Sequence, residues 1–166
     1  MIAPGNSPVD FVNPCILSHL SSQFMPSARD LSSVPMEAEH SSTGVREKGR
    51  SVLVIDDVSD VTEMLSVLLT HAGYEVCAAS SAQEAIALAL DHHFDMIISD
   101  IGMPDMNGYE LAEILRSKPG YAAVPMIAVT GFSMFDDRNR SLTAGFNAHV
   151  TKPIDPRSFL DLIEQL

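Results

Sequence analysis

"VLVIDDVSD", residues 52–60, sets four apolar residues, three of them β-branched, directly before two adjacent aspartates, Asp56 and Asp57. A short run of that kind, entered from Ser51, reads as a strand covered on both faces. Two carboxylates at its end repel each other and cost desolvation energy. Three circumstances would make them tolerable: a metal ion, a basic side chain arriving from elsewhere in the chain, or exposure at a loop.

Working outward from this strand, the pattern repeats. Val61, Met64, Leu65, Leu68 and Ala72 recur at helical spacing, with Gly73 where a C-terminal cap belongs. "YEVCAA" (74–79) alternates and reads as a second, less deeply buried strand. A helix through Ala82, Ala85, Ile86 and Ala89 follows, with Ser81 as its N-cap. "MIIS" (96–99) predicts a third strand, and Leu111, Ile114 and Leu115 mark a third helix. "PMIAV" (125–129) predicts a fourth strand, followed by a weaker helix around residues 134–144 that ends near Gly145. "AHVT" (148–151) is a fifth strand, and Phe159, Leu162, Ile163 and Leu166 place a stripe on a closing helix. Five βα units joined by short connections imply an α/β fold, a parallel sheet with helices on both faces.

The stretch before this pattern is different. Residues 1–49 hold five of the ten prolines and a scatter of serines, with no sustained period. They are expected to form a disordered Ser/Pro-rich extension, because such a composition buries too little apolar area to offset ordering entropy. Within it, "FVNPCIL" (11–17) is either a short docking segment or part of a passive tail. Residues 50–166 form the expected domain and carry 17 of the 22 acids but only 7 of the 10 bases. A formal net charge of −12 argues against nucleic-acid binding, which needs clustered Lys and Arg. The two cysteines, Cys15 and Cys77, give neither a disulfide framework nor a zinc pattern, so a reduced, cytoplasmic setting is expected. No apolar run approaches the ~18 residues of a membrane helix, and no basic stretch followed by an apolar core suggests a signal peptide.

In open parallel sheets, ligands bind beyond the carboxyl ends of the strands. The residues just past each apolar run are Asp56 and Asp57, Asp100, Thr130 and Lys152. All would open onto one edge of the sheet. Three carboxylates in one crevice would be strongly coupled unless a cation shared the site. Oxygen ligands without Cys or His favour Mg²⁺ or Mn²⁺ over zinc. With an ammonium and a hydroxyl beside them, they suit phosphoryl transfer, with an aspartate as the nucleophile.

"VLVIDD", "DMIISDIGMPDMNGYEL", "PMIAVTG" and "AGFNAHVTKPID" resemble the receiver domain of two-component response regulators, from about residue 51 to the C-terminus. The likeness is greatest to single-domain regulators and to the receivers of hybrid histidine kinases. The resemblance implies a flavodoxin-like (βα)5 doubly wound sheet of strand order 2-1-3-4-5. It implies that Asp100 accepts a phosphoryl group from a phosphohistidine donor, supplied by a histidine kinase or a histidine phosphotransfer protein. Asp57 would ligate Mg²⁺ directly, Asp56 at least through water, and Asp100 and the Gly102 carbonyl would complete the protein's ligands. Thr130 would hydrogen-bond the phosphoryl oxygens, and Lys152 would pair with Asp100 and later with the phosphate. A cis peptide before Pro153 would aim Lys152 into the crevice.

Two positions depart from the commonest family pattern. His149 stands where Tyr or Phe usually serves as a rotameric switch coupled to Thr130; it is either a polar, pH-sensitive switch or a solvent-facing edge residue. Phe132 is bulky and apolar beside the phosphorylation site, where it is expected to restrict the approach of hydrolytic water. Other features take plainer readings: His92 and His93 as a polar helix end, Met96 and Met126 as core, Gly108 as a backbone requirement and Pro104 as a loop-shaping residue.

Only 14 residues follow Lys152, room for the last helix. The expectation is therefore a receiver acting alone, not an enzyme beyond its own phosphorylation and dephosphorylation, that signals through a protein partner or a phosphorelay; a phosphorylation-dependent dimer stays open. A pseudo-receiver that binds partners without phosphorylation is the alternative. An aspartyl phosphohydrolase fits poorly, since such enzymes place a second acid two positions after the nucleophile and here that position is Gly102.

Overall fold

Five strands and five helices alternate along the chain in the computed structural model, which describes residues 49–131 and 137–166. They are β1 (Ser51–Ile55), α1 (Ser59–His71), β2 (Glu75–Ala79), α2 (Ala82–Asp91), β3 (Met96–Asp100), α3 (Gly108–Arg116), β4 (Met126–Thr130), α4 (Asp137–Ala144), β5 (Ala148–Thr151) and α5 (Pro156–Glu164). Residues 1–48 of the expected N-terminal extension, and Phe132, lie outside the described residues. All strand pairs are parallel and the order is β2-β1-β3-β4-β5, as the resemblance implied.

The alternation of side chains along each strand divides the interior into two layers. Val52 and Val54, Val76, Met96 and Ile98, and Ile127 and Val129 face one way. They pack with Leu65 and Leu69 of α1 and with Phe159 and Ile163 of α5. Leu53, Ile55 and Ile97, essentially inaccessible, face the other way. That side is covered by α2, α3 and α4, with α2 against β1 and β2 and α4 against β5. β3 and β4 are buried along their whole lengths, which is why their sequences read as unbroken apolar runs.

Local chemistry fixes where the elements start and stop. Ser81 caps α2, its hydroxyl accepting from the Glu84 N–H at 3.2 Å. Asn107 forms a capping box with Glu110 at the start of α3. Asp155 accepts from the Ser158 N–H at 2.9 Å, with Pro156 in the first turn of α5. Gly73 and Gly145 follow α1 and α4 with φ of 94° and 104°, the left-handed geometry that ends a helix at low cost in glycine. At the amino edge of the sheet, the Arg116 guanidinium donates to the carbonyls of Tyr121, Val124 and Gly145 and to Asn147 Oδ1, at 2.6–2.9 Å. These bonds tie the connections before β4 and β5 to the end of α3.

Gly108 is a requirement of close packing. A Cβ there would lie 2.3 Å from the Asp100 carbonyl oxygen and 2.9 Å from the Ile101 Cα, both backbone atoms that cannot rotate away. The start of α3 is thus pressed against the end of β3, the strand that carries Asp100. Gly108→Ala is expected to destabilise the protein by roughly 3 kcal/mol or more in urea unfolding. Gly131→Ala, where no described atom lies within 4 Å of an added Cβ, should change it by less than about 0.5 kcal/mol.

Candidate functional site at the carboxyl edge of the sheet

Four of the five strands deliver a polar group to the same edge. Asp56 follows β1, Asp100 ends β3, Thr130 ends β4 and Lys152 follows β5. Backbone hydrogen bonds hold these ends in register. The Asp56 N–H donates to the Ala79 carbonyl at 3.2 Å, Ile101 to Val129 at 3.0 Å, and Lys152 to Thr130 at 2.7 Å. The peptide between Lys152 and Pro153 is cis.

Lys152 Nζ closes the centre of the site. It donates to Asp56 Oδ2 at 2.7 Å and to Asp100 Oδ1 at 2.8 Å, so one ammonium bridges two carboxylates from different strands. Both acids are nearly inaccessible, and Lys152 is partly exposed. The remaining oxygens are also engaged: Asp56 Oδ1 accepts from the Val58 N–H at 3.0 Å, and Asp100 Oδ2 accepts from the Gly102 N–H. Burial pushes the Asp56 carboxyl above its usual range; the Lys152 hydrogen bond, the Val58 N–H and the Lys152 charge offset part of this, and the charge of Asp100 adds to it. Burial alone would lower the Lys152 ammonium, but its hydrogen bonds to Asp100 and Asp56, and their charges, outweigh that and hold it above its ordinary value. The two carboxylates thus favour the charged form of Lys152.

The adjacent aspartates thus occupy different environments. Asp56 points inward and is paired by a basic side chain from β5; Asp57 is exposed at the mouth. Two of the three circumstances considered from sequence, pairing and exposure, therefore hold at once, one for each residue. Sequence reasoning matched Lys152 with Asp100 but missed its equal contact with Asp56; the mutual facing of the three strand ends was the available signal.

Thr130 is buried at the end of β4, in line with the crevice. His149 sits half-buried on β5, with Nδ1 3.0 Å from Ser141 Oγ of α4. Ser141 carried no signal in the sequence, because its contact links a helix to a strand eight residues away. Gly102 is exposed, and a Cβ there would come within 3.3 Å of Asp100 Oδ2. His92 and His93 close α2 at the opposite edge. The Tyr121 hydroxyl donates to the His92 carbonyl at 2.7 Å, and the His93 ring rests against Tyr121.

Whether these residues suit a hard divalent cation is decided by the donor set. It is all oxygen, and each engaged carboxylate oxygen has a second lone pair to offer. Among the described residues, no three acidic, His or Cys side chains are grouped closely enough to make a ready-formed cage. An all-oxygen donor set fits Mg²⁺ or Mn²⁺ better than zinc.

Comparison with known proteins identifies the family. The response regulator receiver domain family matches residues 52–164. A 14.6 kDa protein of Leptolyngbya boryana is 36% identical over 114 residues, covering 69% of this chain and 87% of its own length. The polar-differentiation response regulator DivK of Brucella ovis is 33% identical over 115 residues, covering 69% and 94%. Among solved structures, the chemotaxis response regulator CheY4 of Vibrio cholerae superposes with a TM-score of 0.67 at 32% identity, covering 70% of this chain and 98% of that one. The receiver domain of a Pseudomonas aeruginosa sensor histidine kinase, solved with magnesium coordinated in its active-site cleft, gives 0.65 at 25% identity, covering 70% and 96%. With the fold, the strand-end residues and these matches in agreement, the chain belongs to the response regulator receiver domain family.

Proposed function

We propose that this chain is a phosphorylation-dependent receiver in which Asp100 accepts a phosphoryl group from a phosphohistidine donor. The observation that carries this reading is the Lys152 ammonium held between Asp100 Oδ1 and Asp56 Oδ2 at 2.8 and 2.7 Å. It presents a positive charge beside the one carboxylate that ends a fully buried strand at the crevice. A carboxylate oxygen of Asp100 attacks phosphorus, the phosphorus–nitrogen bond breaks, and the imidazole leaves with the electron pair and takes up a proton. Lys152 turns from Asp100 to the incoming phosphoryl oxygens, and the Thr130 hydroxyl donates to them. Asp56, Asp57, Asp100 and the Gly102 carbonyl would hold a Mg²⁺ or Mn²⁺ ion, which neutralises phosphoryl charge when bound.

The donor in this reading is a histidine kinase or a histidine phosphotransfer protein in the cytoplasm. The signal passes onward by phosphorelay or by a protein that reads the modified surface, and the chain catalyses only its own phosphorylation and dephosphorylation. Among the described residues, no helix is long and apolar enough to cross a membrane.

Incubation with acetyl phosphate and Mg²⁺, followed by intact-mass analysis, tests the reading. A gain of one phosphoryl group that Asp100→Asn abolishes is the expected result. No gain in the wild type would leave a receiver that binds its partners without phosphorylation.

Asp57 separates the metal role from the structural one. Since its side chain is exposed, Asp57→Asn should alter folding stability by less than about 0.5 kcal/mol. It should weaken Mg²⁺ binding in calorimetric titration by roughly tenfold or more and slow phosphorylation accordingly. Unchanged Mg²⁺ affinity would remove Asp57 from the ligand set.

A further inference from the structure

β5 is the edge strand, and its register against β4 pairs Ile127 with Ala148, Ala128 with His149, Val129 with Val150 and Thr130 with Thr151. Paired residues of a parallel ladder share a face, and successive residues alternate faces. Ala148 and Val150 pack into the layer under α1 and α5. His149 therefore shares the opposite face with Ala128 and Thr130, on the side where α4 contacts β5. Thr130 and His149 are diagonal neighbours there, and the residue directly opposite His149 is only an alanine.

α4 meets this face in an unexpected way. Its sequence, "DRNRSLTA", is almost wholly polar, yet Leu142 is 51% exposed while Ser141 is 0% exposed. The helix turns its serine toward the sheet and its leucine toward solvent. Ser141 Oγ lies 3.0 Å from His149 Nδ1, within hydrogen-bonding distance. Packing alone would be served as well by alanine, as it is one turn later at Ala144, which is also buried.

We infer that Ser141 is a positioning residue for the phosphorylation response, its hydroxyl holding the His149 imidazole against α4 while Asp100 is unphosphorylated. The inference rests on the receiver reading above. When Thr130 is drawn toward a phosphoryl group, the space it leaves lies on the face it shares with His149. To move into that space the ring must give up Ser141, so this hydrogen bond favours the unphosphorylated arrangement. By linkage, its loss favours the phosphorylated arrangement and phosphorylation itself by the same factor, roughly three- to tenfold for one ordinary hydrogen bond. α4 does not depend on this bond alone. The Arg140 guanidinium lies 4.6 Å from the centre of the Tyr109 ring on α3, a second contact between α4 and its surroundings.

The test is a set of amide and imidazole nitrogen NMR spectra of the full chain, with and without acetyl phosphate and Mg²⁺. In the absence of phosphodonor, Ser141→Ala should move the signals of α4 and β5 part of the way along the line joining free and phosphorylated wild type. The His149 ring nitrogens should shift with them. In a His149→Phe background, Ser141→Ala should add no further displacement along that line. If Ser141→Ala does not fold, His149→Phe breaks the same bond from the strand side and should produce the same displacement. Signals that stay at the free wild-type positions, that move off the line, or that respond equally without His149 overturn the inference alone. A wild type that takes up no phosphoryl group overturns the receiver reading and, with it, the second state that Ser141 is inferred to oppose.

Discussion

The bridge from Lys152 to both Asp56 and Asp100 is the constraint on which the carboxyl edge depends. Two carboxylates brought to the ends of neighbouring buried strands cannot both ionise cheaply without a shared counter-charge. Lys152 supplies that charge from β5, on the far side of β4, so the pairing spans β1, β3, β4 and β5. The strand order makes it possible: with β3 between β1 and β4, Asp56 and Asp100 fall beside each other and a side chain past β5 can reach across. A register slip of one residue in any of these strands would turn its polar end to the other face and leave a buried carboxylate without a partner.

The apolar frame beneath the bridge keeps the strand ends from adjusting. β3 and β4 are enclosed throughout, and α3 begins so close to β3 that Gly108 leaves no space for a methyl group against the Asp100 carbonyl. Arg116 fixes the other end of α3 by saturating the carbonyls at the connections before β4 and β5. Asp100 therefore ends a strand pressed by the start of α3, a helix whose own end is tied to the connections before β4 and β5. The parts free to respond to it lie elsewhere, in the partly exposed Lys152, the exposed Asp57 and the polar helix α4.

How far all this was legible depends on how local the cause of each feature is. The run Ser51–Ile55 is bounded as read, because its apolar content and the turn after it are both encoded in sequence. Ser81 capping α2 is equally local. β2 begins at Glu75 instead of Tyr74, since Tyr74 serves the end of α1, its N–H donating to the Leu69 carbonyl at 3.0 Å. β3 and β4 each extend one residue past the apolar stretch, because Asp100 and Thr130 are held by the ladder although they are polar. α4 gave a weak signal for a physical reason: only Leu142 and Ala144 are apolar, and the leucine points outward. The Lys152–Asp56 pair and the Ser141–His149 contact depend on tertiary register, which residue spacing does not carry.

Charge balance links the bridge to the proposed chemistry. Two inward carboxylates and one ammonium leave the crevice one negative charge in excess, and Asp57 at the mouth adds another. A proton on Asp56 would relieve the excess, and its burial already favours that. A divalent cation would relieve it fully and without removing a ligand. Phosphorylating Asp100 works in the opposite direction: it replaces a carboxylate with a group of about −1.5 to −2 charges, in surroundings where each uncompensated charge is costly. Lys152 alone cannot balance both that group and Asp56. On the proposed reading a divalent cation would stabilise the modified state as well as aid in forming it. In that proposed arrangement Asp56 would keep its pairing with Lys152 and meet the ion at least through water, and the exposed Asp57 would meet it first.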